Sequence, residues 1–127
     1  PVIRAIIAVF IKILSWRWNK MDVLEELYNV ILGRKEQKIE GSYTCYLFEQ
    51  GIDKILKKCG EECAETIIAA KNADPESIVG EVSDLIYHLL VMLADRGVGI
   101  EPVRAELNIR LQKQKNLKVM KNIDRNT

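Results

Sequence analysis

The chain has 127 residues and a mass of 14.5 kDa, which is enough for one domain. Its apolar fraction of 48% and charged fraction of 29% are typical of a folded globular protein, and they exclude disorder, a collagen-like repeat and a chain of membrane spans. The net charge of +1 combines unlike segments, because residues 1–20 carry +4, residues 21–103 carry −8 and residues 104–127 carry +5. A function for this chain has to explain the acidic middle between two basic ends.

Residues 1–20 form a basic and apolar extension. Residues 5–14 are apolar apart from Lys12, a run too short to span a bilayer, and no cleavage site of a signal peptide follows it. Met21 stands directly before a clear helical pattern and resembles a start codon. We therefore expect residues 1–20 to be a leader or a non-native extension. The alternative is an amphipathic helix at a membrane surface, anchored by the two tryptophans.

The cysteines indicate the compartment. The chain has three, Cys45, Cys59 and Cys63, and an odd, low count is a poor disulfide framework. A reducing compartment follows, so we expect the protein to be cytoplasmic. Cys59 and Cys63 are four residues apart, a spacing that favours two small core residues on one helix over a zinc site.

The apolar spacing predicts helices throughout the chain. The predicted helical regions are residues 22–32, residues 44–71 passing through Gly51, residues 76–95, and a last helix from about residue 101 into the basic tail. Gly33 is expected to end the first helix, and residues 34–43 are expected to form a loop. Since no long alternating pattern occurs, the sequence predicts an all-α bundle of four to five helices. Its domain would span residues 21–112, with a basic tail over residues 113–127.

Two acid pairs border the predicted core stripes. Glu62 and Glu65 lie three residues apart beside the stripe that includes Cys63 and Ile67, and Glu81 and Asp84 are spaced likewise on the next helix. Like charges this close repel each other unless a cation neutralises them. Antiparallel packing would gather all four carboxylates, whose hard oxygens suit Mg²⁺ or Mn²⁺. The alternative is a pair of solvated helix faces, where acid pairs are also common.

Two lysines and a histidine extend the acidic row. Lys54 and Lys58 precede Glu62 by one to two turns on the same helix edge, about 6–12 Å of rise, where they could hold phosphates further from a metal. His88 follows Asp84 by one turn, and we expect it to contact substrate or a carboxylate, or else to be a hydrogen-bonded boundary histidine. Carboxylates, metal and lysines in line predict a strip that binds polyphosphate.

Four motifs occur in a fixed order along the chain. They are Gly41-Ser42-Tyr43-Thr44, residues 51–65, residues 68–72 and residues 81–90. Together they closely resemble the phosphoribosyl-ATP pyrophosphohydrolase family over about residues 23–110. The resemblance implies a MazG-like all-α fold completed by dimerisation, in a cytoplasmic enzyme. It also implies Mg²⁺-dependent hydrolysis of 1-(5-phosphoribosyl)-ATP to 1-(5-phosphoribosyl)-AMP and pyrophosphate, the second step of histidine biosynthesis.

The resemblance also assigns roles to residues. Those that match the superfamily's metal ligands are Glu62, Glu65, Glu81 and Asp84, and Glu61 and Glu62 would act in catalysis. The expected substrate-binding residues are Lys54, Lys58, Arg34, Ser42, Thr44 and His88. Gly80 departs from the family pattern in the middle of a helix, and Gly33 replaces an acid that is common in the family. Neither position is a proposed ligand.

Two other functions remain as alternatives. The first is a nucleotide pyrophosphohydrolase of the same fold that acts on NTPs or dNTPs. The second is a non-catalytic helical module that binds a metal or a partner helix. In the preferred interpretation the partners are a small nucleotide substrate and a second copy of the chain, and we expect neither nucleic acid nor a membrane.

Overall fold

The protein's structure, a computed structural model, describes residues 2–18 and 22–115, and within the first range it describes the side chains of residues 2–12. The elements are α1 Val2–Trp18, α2 Val23–Glu36, α3 Tyr43–Gln50, α4 Ile52–Asn72, α5 Pro75–Asp95 and α6 Ile100–Lys115. All elements in these ranges are helices, so the predicted all-α class is confirmed. Met21, the tryptophan side chains and residues 116–127 of the predicted tail lie outside the described residues.

The first helix of the predicted domain, α2, is longer than expected. Asp22 caps it by accepting a hydrogen bond from the backbone N–H of Glu25 at 3.0 Å. The expectation that Gly33 ends the helix is wrong, because α2 continues to Glu36. Packing overrides the low helix propensity of glycine here, since the Lys35 ammonium, in the last turn, donates to the Ala94 carbonyl at 2.8 Å. The predicted loop therefore shortens to residues 37–42.

Gly51 divides the predicted second helical region into two helices. Its backbone N–H bonds to the Leu47 carbonyl at 3.1 Å and ends α3, while its carbonyl accepts from Ile55 at 3.2 Å and begins α4. At φ 88° and ψ −179°, this position has a conformation that only glycine adopts without strain. The sequence reasoning passed a helix through this residue and missed the bend, which packs α3 against both α2 and α4.

The core lies at one end of the α4–α5 pair, where α2 and α3 cover it. Its buried members are Tyr28, Ile31, Leu47, Ile55, Leu90, Val91, Ala94 and Ile100. The sequence predicts a core stripe on α4 that comprises Ile52, Ile55, Leu56, Cys59, Cys63, Ile67 and Ala70. This prediction is only partly right, because Leu56 and Cys63 are exposed and Ile67 is 64% exposed. On the facing helix Val79 is 67% exposed. The far half of the α4–α5 pair therefore carries apolar side chains that are exposed in the single chain.

The helix α5 is long and apolar enough, by length and composition, to cross a membrane, and it alone meets this test among the described residues. The same helix packs against α4 and α2 and contributes Leu90, Val91 and Ala94 to the core. It also carries Glu81 and Asp84 along one edge. These contacts are those of a core helix in a helical bundle.

Candidate functional site

The antiparallel packing of α4 on α5 gathers the four predicted acids. One carboxylate oxygen each of Glu62, Glu81 and Asp84 lies within 4.8 Å of the other two. Glu65 lies next to them, since the charges of Glu62 and Glu81 both raise the pKa of its side chain. We call Glu62, Glu65, Glu81 and Asp84 the acid cluster. It forms because each pair occupies one edge of its helix, and the two edges meet where the helices pack.

Mutual repulsion governs the protonation of the acid cluster. The pKa of Glu65 is raised above its ordinary value, first by the negative charge of Glu62 and then by its hydrogen bond to Glu81. Glu62 behaves in the opposite way, although it is buried. The ammonium of Lys58 lies 2.8 Å from its Oε1 and lowers its pKa. The cluster therefore combines one carboxylate whose pKa is lowered, Glu62, with a neighbour whose pKa is raised, Glu65.

The geometry of the acid cluster fits a divalent cation. Oxygen ligands of one Mg²⁺ ion lie about 2.1 Å from it, so two of them are at most about 4.2 Å apart. Oxygens that already lie within 4.8 Å reach this arrangement by small side-chain rotations. Glu62 is 5% exposed, and burying a carboxylate among other carboxylates is unfavourable unless a positive charge compensates it. Lys58 supplies one such charge, and a bound cation would supply more.

The lysine and glutamate row continues along α4 as the sequence predicted. The ammonium of Lys58 also lies 3.1 Å from Oε2 of Glu61, and Lys57 lies 3.5 Å from Oε1 of the same residue. Lys58 lowers the pKa of Glu61 through this hydrogen bond, which makes Glu61 a weaker proton acceptor than a free glutamate. Lys54 is half-buried one turn before Lys58.

His88 connects the acid cluster to α3. Its ring is 4% exposed, and its Nδ1 lies 2.7 Å from the Asp84 carbonyl oxygen and 3.9 Å from Oε1 of Glu62. Because a carbonyl oxygen only accepts, Nδ1 carries the proton in the shorter contact. Nε2 then faces the Tyr43 hydroxyl at 3.2 Å, which donates to it when the ring is neutral. Both ring nitrogens of His88 thus have hydrogen-bond partners, as the boundary alternative expects, and the ring also lies beside the Glu62 carboxylate.

The remaining predicted substrate residues have structural contacts of their own. Ser42 caps α3 by accepting from the Cys45 N–H at 3.2 Å, and the Thr44 hydroxyl lies 2.5 Å from the Tyr87 hydroxyl. Arg34 makes no ion pair with the acid cluster within residues 22–115, and its carbonyl accepts from the Cys45 thiol at 3.3 Å. Ser42 and Thr44 are connected to the acid cluster only indirectly, because the residue between them, Tyr43, bonds to His88.

The sequence reasoning included the loop of Ser42 to Thr44 but gave no role of its own to Tyr43, whose hydroxyl bonds to His88 beside the acid cluster. The only sequence signal for Tyr43 was its place inside the Gly41–Thr44 motif, because no residue spacing identifies a tyrosine as a ligand-binding residue.

Two cavities flank the site. One, of about 230 Å³, opens beside Glu65 and Glu81, and the other, of about 410 Å³, lies against Tyr43.

The fold and the acid cluster define an all-helical protein with a carboxylate site, on two packed helices, that can hold a metal ion. Comparison with known sequences identifies the family within this class. The family model described as phosphoribosyl-ATP pyrophosphohydrolase matches residues 24–110. The chain therefore belongs to that family.

Relatives in other organisms agree with the family match. The chain is 54% identical over 100 residues to the phosphoribosyl-ATP pyrophosphatase of Clostridium novyi (strain NT), an alignment that covers 79% of this chain and 91% of the relative. It is 58% identical over 96 residues to the protein of that name from Pelotomaculum thermopropionicum, covering 76% and 98% of the two chains. It is also 58% identical over 84 residues to the histidine biosynthesis bifunctional protein HisIE of Thermoanaerobacter pseudethanolicus, covering 66% of this chain and 39% of that one.

Proposed function

We propose that this chain is an enzyme, a phosphoribosyl-ATP diphosphatase that hydrolyses 1-(5-phosphoribosyl)-ATP to 1-(5-phosphoribosyl)-AMP and pyrophosphate in histidine biosynthesis. Membership of the family supports the reaction. The observation that carries the proposal in the structure is the acid cluster, with its buried Glu62 paired to Lys58. Carboxylates and an ammonium side by side suit a polyphosphate substrate that arrives with a divalent cation.

The metal ligands in this proposal are Glu62, Glu65, Glu81 and Asp84. A bound Mg²⁺, or Mn²⁺ in its place, would neutralise phosphate charge and polarise the anhydride that is cleaved. Glu62 enters the reaction already ionised, because Lys58 lowers its pKa. Glu65, whose pKa is raised by the neighbouring acids, would coordinate a cation in its ionised form, and a bound cation would lower that pKa.

The remaining roles follow the row along α4. Water would attack phosphorus and the phosphorus–oxygen bond to the pyrophosphate group would break, which leaves the nucleoside monophosphate. Glu61 and Glu62 are the candidates to orient this water and accept its proton, and the lowered pKa of Glu61 favours orienting over proton transfer. Lys54 and Lys58 would bind phosphate oxygens of the substrate, whose negative charge increases as pyrophosphate leaves.

We also propose that the active enzyme is a cytoplasmic homodimer built on the domain of residues 21–112. Apolar side chains remain uncovered along α4 and α5, and they include Ile67 at 64% and Ile68 at 59% exposure. A second copy would bury such a face by a symmetric contact. In this proposal the side chains of Arg34, Ser42 and Thr44 bind the ribosyl phosphate of the substrate at the edge of the site.

Pyrophosphate release tests the proposed function. The purified chain is incubated with phosphoribosyl-ATP, with ATP and with dUTP, each with Mg²⁺ and with excess EDTA. We expect release from phosphoribosyl-ATP, at least about tenfold faster than from the other two, and loss of this activity in EDTA. Faster release from ATP or dUTP would favour the general nucleotide pyrophosphohydrolase. No release from any substrate, despite Mg²⁺ binding, would favour the non-catalytic module.

A further inference from the structure

Tyr43 is an exposed aromatic side chain held in one position by its neighbours. Its ring is 47% exposed. It stacks with Tyr46 and Tyr87, at centroid distances of 6.0 and 6.3 Å and interplanar angles of 26° and 27°. The edge of His88 meets it at 5.9 Å. A ring with three aromatic neighbours has little freedom to turn, so its free surface is rigid.

The hydroxyl of Tyr43 fixes the ring next to the acid cluster. It bonds to Nε2 of His88 at 3.2 Å, and Nδ1 of that ring bonds to the backbone carbonyl of Asp84 at 2.7 Å. His88 follows Asp84 by one helical turn, which is about 6 Å of rise. The hydroxyl of Tyr43 therefore contacts a residue one turn away from a proposed metal ligand. The same histidine ring also lies beside the row on α4, because its Nδ1 is 3.9 Å from Oε1 of Glu62.

A cavity continues from this ring away from the acid cluster. It has a volume of about 410 Å³ and lies between loop residues 38–42 and the start of α3. Tyr43 and Tyr46 both line it, and they are the exposed aromatic side chains within residues 22–115. A concave space with a flat, rigid aromatic wall suits a planar ligand group. The acid cluster and Lys58, one turn away, suit the phosphates attached to such a group.

We propose that Tyr43 contacts the substrate and that its ring is the surface on which the purine base stacks, with the phosphates extending from there toward the acid cluster. This inference rests on the proposed function, because it takes the substrate to be a purine nucleotide. Stacking on an aromatic side chain gains affinity without reading the base edge. Because the ring is already fixed through His88, binding costs little side-chain entropy.

The test compares a ligand that carries a purine with one that lacks it. Binding of AMP and of inorganic tripolyphosphate is measured by titration calorimetry with Mg²⁺ present, for the wild-type chain, Tyr43→Leu and Tyr43→Phe. We expect Tyr43→Leu to weaken AMP binding about tenfold and to leave tripolyphosphate binding within about twofold. Tyr43→Phe is the matched control, since it keeps the ring and loses only the hydroxyl, and it should weaken AMP binding by about threefold or less.

A second measurement needs no variant. The adenine ring protons of AMP should shift upfield when it binds the wild-type chain, because stacked aromatic rings shield each other. Equal weakening of both ligands in Tyr43→Leu, unchanged AMP binding, or no upfield shift would each overturn the inference. Pyrophosphate release is assayed separately. A wild-type chain that binds AMP through Tyr43 but releases no pyrophosphate would therefore contradict the proposed function and still support the stacking.

Discussion

Removal of one charge from the acid cluster should separate its catalytic role from its effect on stability. The variant Glu81→Gln keeps the shape and the oxygen of the side chain but removes its charge. Oxygens of Glu81 and Glu62 lie within 4.8 Å. At an effective dielectric constant of about 20, two unit charges at this separation repel by about 3 kcal/mol. Without metal, Glu81→Gln relieves this repulsion, so its melting temperature should equal or exceed that of the wild type.

The same charge has the opposite effect once a cation is bound. Loss of an attraction of similar size in the metal complex corresponds to about 100-fold in rate, at about 1.4 kcal/mol for each factor of ten. We therefore expect Glu81→Gln to hydrolyse phosphoribosyl-ATP at least about 100-fold more slowly than the wild type. The gain in melting temperature that Mg²⁺ produces should shrink in the variant.

Pyrophosphate release and calorimetric melting, each with and without Mg²⁺, measure these two effects. The control is Glu76→Gln, which removes the same charge from the first turn of α5, outside the acid cluster. The control should keep wild-type turnover within about twofold, because isolated surface charges contribute little. Near wild-type turnover in Glu81→Gln, or an equal loss in Glu76→Gln, would refute the assignment of Glu81 to a metal site.

Three further predictions, on four variants, follow from the structure. The pKa of Glu65 is raised in the folded state, so this carboxyl destabilises the metal-free fold as pH rises through that pKa. Glu65→Gln should therefore melt higher than the wild type without metal at pH 7 and gain less from Mg²⁺; a lower metal-free melting temperature would contradict this. Lys58→Met leaves Glu62 buried without its 2.8 Å partner, which should cost about 2 kcal/mol in urea unfolding and raise KM about tenfold; an unchanged KM would exclude a phosphate contact. Gly51→Ala should cost about 1–3 kcal/mol because of its φ of 88°, whereas Gly33→Ala, in a regular helix with nothing within 4 Å, should stabilise by up to about 1 kcal/mol. Equal urea midpoints for these two glycine variants would show that the bend at Gly51 carries no strain.

The local sequence pattern predicted most of the helices and the helix edges that carry the acid pairs. The spacing of Glu62 with Glu65 and of Glu81 with Asp84 is a property of the helix itself, so their convergence needs only that α4 and α5 pack antiparallel. Lys58 was placed beside the acids by the same argument, and the structure brings it to 2.8 Å from Glu62. The metal role of these residues stays a prediction.

The bends and ends of helices were predicted less well. Gly33 and Gly51 look alike in the sequence, yet the first lies inside α2 and the second separates α3 from α4. A glycine permits both outcomes, and the difference lies in what the following residues contact. After Gly33, Lys35 reaches the carbonyl of Ala94, which is 59 residues away in the chain. After Gly51, the turn lets Leu47 and Ile55 both enter the core.

The sequence by itself determined the helical class and the acidic row with its lysine, because periodicity and spacing along one helix are local properties. The family followed from the resemblance of its ordered motifs, and the family match confirms it. Only the tertiary structure decided which apolar positions are buried. Ile67 and Ile55 share one predicted stripe, yet Ile67 is 64% exposed and Ile55 is fully buried. It also decided that Tyr43, rather than Ser42 or Thr44, reaches the acid cluster through His88. Both outcomes depend on how far the neighbouring helices extend over α4 and α5, and a pattern within one helix does not contain that information.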